Sequence, residues 1–223
     1  MTIEVVLSHL TRMKGDRVCV AATDASGRSL RPVLRAQPTW NDSDLAPAGP
    51  IELGTVFSMS EELCGAPPHS EDVLVRREDL LPHGRMPYEG FLARLATGVS
   101  ELTGCFGGSH EIAPRTARLV VAPGAGQRSL GVIRTSAMDV YRRGDRLRVV
   151  VDHPTLGDVE MTVADLRLTP WTQRRDDMWA LTETLRKHGA LLTVGLTRSY
   201  GEPAWCWSQV DGIFVEDPDL TGW

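Results

Sequence analysis

The sequence predicts a mainly β fold: two OB-like antiparallel β-barrels, with one prominent helix in the second half. Three observations lead there. Short runs of strand composition recur along the whole chain, separated by Gly, Pro and Asp turns. They divide into about five on each side of a boundary between residues 105 and 117, the number an OB barrel needs. A faint internal echo sets Leu10-Thr11-Arg12 ahead of Cys19 and Leu196-Thr197-Arg198 ahead of Cys206. The expected division is therefore 1–110 for the first barrel and 111–223 for the second.

The first half opens with apolar runs at Ile3 to Leu7 and Val18 to Ala22, then the turn Asp24-Ala25-Ser26-Gly27 and a third run ending at Arg31-Pro32-Val33. Residues Gln37 to Gly54, rich in Pro, Asp and Gly, read as a long surface connection. Strand composition returns at Thr55 to Ser60 and Asp72 to Arg76, and Glu78 to Leu81 makes a single helical turn stopped by Pro82. Phe91, Leu92 and Leu95 share a helical face within Tyr88 to Thr97. The Leu102 to Gly108 loop closes this half.

In the second half, strands are expected over Arg118 to Ala122, Ser129 to Thr135, Asp145 to Val151 and Asp158 to Val163. The clearest helix spans Gln173 to His188: Met178, Leu181, Thr182 and Leu185 form one stripe, and Gly189 suits the position after its end. Strands at Leu191 to Thr197 and Ala204 to Val215 complete the pattern.

A formal net charge of −5 and no long charged block argue against indiscriminate coating of DNA, and leave room for a local basic groove. The N-terminus carries no secretory pattern and no later run is long enough to span a bilayer, so a cytoplasmic location is expected. Cys19, Cys64, Cys105 and Cys206 are scattered, which favours reduced thiols.

Arg17-Val18-Cys19-Val20-Ala21, Gly27, Arg31-Pro32-Val33, Gly104-Cys105-Phe106-Gly107, Val163 to Trp171 and Leu192 to Ile213 together resemble the bacterial family of dual OB-containing domain proteins. That resemblance spans nearly the whole chain. It implies two OB folds in one unit and a nucleic-acid-binding or accessory role, with no established activity or catalytic residues.

Among single residues, Arg31 stands beside a proline that suits a strand end, and it either clamps a phosphate or pairs with a carboxylate between the barrels. Arg146 and Arg148 alternate with Leu147 and Val149 and so share one strand face. That face either receives a phosphate backbone, with Arg142, Arg143, Arg167, Arg174 and Arg175 nearby in sequence, or is solvated and diluted by Asp139, Asp145, Asp176 and Asp177. Arg12 and Arg198 enter through the echo. Trp205 and Trp207 face one way on a strand with Cys206 facing the other; with Trp171, Trp179 and Tyr200 they concentrate aromatics in the last third. The Trp pair is either a stacking platform for bases or packing, in the core or between barrels.

Cys64-x4-His69 and Cys105-x4-His110 share a spacing, and four such ligands suit tetrahedral zinc, though the spacing is not that of a knuckle. No nucleophile elbow, P-loop or HExxH is present. The expectation is thus a non-enzymatic, cofactor-free accessory protein that binds single-stranded or structured nucleic acid through Arg12, Arg31, Arg146, Arg148, Arg198, Trp205 and Trp207. The alternative is an adaptor docking to a protein encoded nearby through sheet edges and the Gln37 to Gly54 loop. A third reading, an enzyme, requires a deep polar inter-barrel pocket containing two or more of Asp24, Arg31, His153 and Asp165.

Overall fold

The opening apolar run extends further than its composition indicates, because a bulge between Leu7 and His9 resets the alternation of β1 (Thr2–Arg12). Val5, Leu7 and Leu10 consequently all face the first core, while Val6 turns toward the second sheet. In this computed structural model residues 2–35, 39–47, 49–60, 62–108, 110–168 and 175–217 are described. β1 forms a meander with β2 (Arg17–Asp24) and β3 (Ser29–Leu34), turning at Gly27, whose positive φ and contact with Gly98 leave no room for a side chain. β4 (Trp40–Asn41), β5 (Thr55–Ser60), β6 (Asp72–Val75) and β7 (Leu81–Arg85) complete a curled sheet in the order β6-β3-β2-β1-β5-β7, with β4 beside β2.

Three expectations for this half need correction. The sheet is not wholly antiparallel, since β3 and β6 run parallel. The Gln37 to Gly54 stretch is not merely a surface connection: Trp40, Ile51 and Leu53 enter the core, and Trp40 donates its indole N–H to the Pro32 carbonyl at 2.9 Å. Pro, Asp and Gly set its backbone turns and say nothing of where the apolar residues between them point. The single helical turn expected over Glu78 to Leu81 is a 3-10 turn at Arg77–Asp79 that ends before Pro82, which sits in β7, an edge strand where a missing N–H is tolerated.

α1 (Tyr88–Ala96) joins the two halves. Phe91 and Leu95, fully buried, meet Val6 of the first sheet and Val132, Leu191 and Phe214 of the second, with the Phe91 and Phe214 rings edge-on at 4.9 Å. Each such side chain contributes about 1.5–3 kcal/mol on burial. The turns after it carry Leu102, Cys105 and Phe106 into the second core.

That second sheet comprises β8 (Glu111–Ile112), β9 (Leu119–Val121), β10 (Leu130–Thr135), β11 (Met138–Arg143), β12 (Arg146–His153), β13 (Gly157–Val163), β14 (Ala190–Leu196) and β15 (Cys206–Val215). Its main path is β10-β14-β15-β13-β12-β11, with β9 beside β15 and β8 beside β9. β13 and β15 are parallel, a second departure from an antiparallel barrel. β11 has no counterpart among the expected strands: Met138 and Val140 alternate inward, but its charged residues mask the pattern. α2 (Arg175–His188) packs on β11, where Thr182 Oγ1 accepts a hydrogen bond from the Val140 N–H at 3.1 Å. Gly189, at φ 77°, ends it as expected.

The fold class is therefore the expected one, mainly β with two curled sheets and two helices. The echo also acquires a meaning. Each copy marks the end of a strand that turns back on its neighbour: Thr11 pairs with Cys19, and the Thr197 N–H bonds the Trp207 carbonyl. Among the described residues no helix is long and apolar enough to cross a membrane.

Candidate nucleic-acid interface

β1 extends past β5 and its end docks on the second sheet, where the Arg12 N–H donates to the Ala164 carbonyl at 3.2 Å and Thr11 bridges Asp165. This leaves a groove of about 650 Å³ at the seam, with Arg12 and Lys14 on one wall and Arg118, Arg146 and Tyr200 on the other. The opposed strands thus bring together cations more than 100 positions apart in sequence. Arg12 pairs with Asp42 at 2.5 Å. Lys14 and Arg146 are exposed and, among the described residues, their side chains have no hydrogen-bond or ion-pair partner. Asp165 also lines the groove, but Arg167 holds it at 2.6 Å. Asp145 is the remaining acid on this surface.

Arg146 and Arg148 do share a strand face, exposed and half-buried between the buried Leu147 and Val149. Their environments differ. Arg148 bonds Thr162 and lies 3.6 Å from Glu160, and burial together with the charge of Arg118 lowers its pKa. It is a structural cation rather than an open one.

Aromatic groups flank the groove. The Arg118 guanidinium sits 4.4 Å over the Trp207 ring, and the Tyr200 ring lies 6.0 Å from Trp207 at a 32° tilt. Tyr200, 53% exposed, is the open member of this stack. Trp205 precedes β15 and is half-buried, with Cys206 buried on the opposite side from Trp207. Trp171 and Arg174 lie outside the described residues. The pattern of the sequence does not expose Lys14, Arg118 and Tyr200 as site residues. Arg118 reaches Trp207 only because Val120 pairs with it across β9 and β15, a contact between distant segments with no local signal.

Arg31 lies elsewhere. Only 8% exposed, it donates to Asp72 at 2.7 Å and to Ser129 at 2.9 Å, with His69 Nδ1 at 3.2 Å. Ser129, from the second half, in turn donates its backbone N–H to Glu71 at 2.7 Å. Arg198 binds the other oxygen of Asp72 at 2.6 Å. Of the two roles expected for Arg31, the geometry is that of carboxylate pairing: Asp72 lies on the neighbouring strand of the same sheet, Ser129 and Arg198 reach this cluster from the second half, and neither arginine lines the groove. Burial opposes the Arg31 charge, but Cys19, Asp72 and Glu71 outweigh it and hold the pKa above its ordinary value. Burial, then the charges of Arg198 and Arg31, push His69 down to about 4.

The four residues of the zinc expectation do not assemble. Cys64 is exposed, His69 belongs to the Arg31 cluster, Cys105 is buried in the second core with its thiol pushed up to about 11, and His110 is half-buried. Among the described residues no three or more His, Cys, Asp or Glu are placed to hold a metal ion. Asp24, Arg31, His153 and Asp165 are dispersed as well. Asp24 ties its own turn through the Ser26 and Arg28 N–H groups, and His153 accepts from Thr155 and Leu156 in another.

No protein-family model matches the chain, and no curated protein is similar to it. Among solved structures it is similar to the p204 HINb domain, at 14% identity and a TM-score of 0.36, over 93% of this chain and 95% of that one. A likeness at this level defines neither strand register nor ligand.

Proposed function

We propose that the protein binds single-stranded or structured nucleic acid in the seam groove. The observation that carries this reading is the meeting of two cations without partners, Lys14 and Arg146, with the Arg118, Trp207 and Tyr200 stack on one surface. Phosphates take the cations and an unpaired base takes the open face of Tyr200, the two contacts on which sequence-tolerant single-strand binding rests. Arg12 stands on the Lys14 wall, Arg148 backs the opposite wall beside Arg146 on β12, and Trp205 pairs with Tyr200. The role is that of an accessory protein of the dual OB-containing kind, with units at 1–110 and 111–223 joined by the Leu102–Phe106 segment that packs into the second core.

Fluorescence anisotropy with labelled single strands at low and at high salt tests the proposal. Binding at low salt that weakens as salt rises is expected, because counterion release drives phosphate contacts. An absence of binding at low salt rules it out.

A further inference from the structure

A second groove, of about 670 Å³, lies between β11 and α2 and is lined by Tyr141, Arg142, Gly144, Trp179 and Arg186. We propose that the nucleic-acid path continues from the seam groove around the tip of the β11–β12 hairpin into this second groove, so that the ligand is one single strand long enough to occupy both. The inference rests on the seam reading above and extends it to the class and length of the ligand.

The two grooves are lined by residues consecutive at one hairpin tip. Gly144 lines the second, and Asp145 and Arg146 line the first, so only the hairpin tip separates them, with successive Cα atoms about 3.8 Å apart. The tip is cationic. Among the described residues Arg142 bonds only the Gly144 carbonyl, at 2.7 Å, and has no acidic partner; Arg143 is 3.4 Å from Glu160; Arg146 has none. Asp139 and Glu183 also line the second groove, but both pair with Arg186. A strand arriving there meets Arg142, whose guanidinium has no carboxylate partner among the described residues.

Trp179 supplies the second contact. It is 71% exposed on α2 while Met178 beside it is buried, so its ring contributes little to the core. An exposed aromatic and an arginine without a carboxylate partner line this groove, as Tyr200 and Arg146 line the seam. Each end of the path thus offers one stacking face and one phosphate contact. A duplex, stiff over about 150 base pairs, does not bend around a two-residue hairpin tip, whereas a single strand does.

The test uses the full chain and fluorescein-labelled oligodeoxythymidylates of about 4 and about 16 nucleotides, the two ends of the range a single barrel accommodates. The longer strand is expected to bind more tightly. Trp179→Ala and Arg142→Ala are each expected to weaken it about tenfold and to leave the short strand unchanged, while Lys14→Ala weakens both. Trp179 is exposed, so its replacement does not threaten folding, and circular dichroism confirms that each variant is intact. If Trp179→Ala and Arg142→Ala bind the long strand like wild type while Lys14→Ala is weakened, the extended path is overturned and the seam reading stands. If a 16-base-pair duplex binds as tightly as the long strand, the single-strand assignment is overturned. If no oligonucleotide binds at all, both readings fall.

Discussion

Arg31 holds the two sheets together through Asp72, Ser129 and the neighbouring Glu71, and Asp72 is shared with Arg198 from across the seam. Replacing Arg31 with Met leaves Glu71 buried without its cation and Asp72 with Arg198 alone. That costs about 3–5 kcal/mol, read as a fall in the urea midpoint. Lys14→Ala, on an exposed unpaired side chain, stays within about 0.5 kcal/mol of wild type in the same experiment. A second buried pair makes stability depend on pH. His9 Nε2 lies 3.7 Å from Asp211, and burial, then the charge of Arg31, pushes His9 down to about 3 while burial pushes Asp211 up to about 7. The imidazole is therefore neutral, and the carboxyl holds its proton far above the usual range. For Asp211 the folded pKa exceeds the unfolded one, so its contribution is complete below about 4 and is lost as pH rises to about 7. For His9 the folded pKa is the lower, so its contribution is present above about 6.5 and is lost as pH falls to about 3. Asp211→Asn keeps the acceptor for Gln209, which donates at 2.6 Å, and cannot ionise. Relative to wild type it is expected to gain roughly 2–4 kcal/mol between pH 4 and 7 in urea titrations. A pH-independent difference contradicts this account of the pair.

At the scale of elements, α1 is the wedge between the sheets. Phe91→Ala removes a fully buried ring that touches residues of both, and a loss of about 3–5 kcal/mol in denaturant unfolding is expected. Helical spacing revealed this element, as it did the Met178, Thr182 and Leu185 stripe of α2. Strands with clean alternation, such as β5 and β12, were equally readable. β4, β7 and β11 were not: one is two residues long, one is fully exposed and contains proline, and one carries four polar or charged residues in six. The parallel pairs β3–β6 and β13–β15 also escaped, because composition gives strand existence and not partner or direction. Close approach is likewise invisible in one dimension. A Cβ on Gly195 would lie 2.1 Å from Asp211 Oδ2, which is why the strand carries glycine there.

For the whole molecule, a net charge of −5 means that attraction to a polyanion has to be local, and the seam is the site proposed for it. The Arg146 and Arg148 face was legible from alternation, and Arg12 from the echo. Arg118 and Tyr200 became neighbours of Trp207 only through β9 and the β14–β15 connection, and the same three-dimensional closure withdrew Arg31 into the interior. If Lys14 and Arg146 each neutralise one phosphate, the double alanine variant is expected to reduce the slope of log affinity against log salt by about 0.7 per contact. The most direct measurement is ultraviolet crosslinking of a bound 5-bromouracil oligonucleotide, followed by mass spectrometry of the attached peptides. Attachment at Tyr200, with Trp207 as the neighbouring position, is expected; attachment confined to surfaces away from the seam, in a complex that binds at low salt, contradicts the assignment.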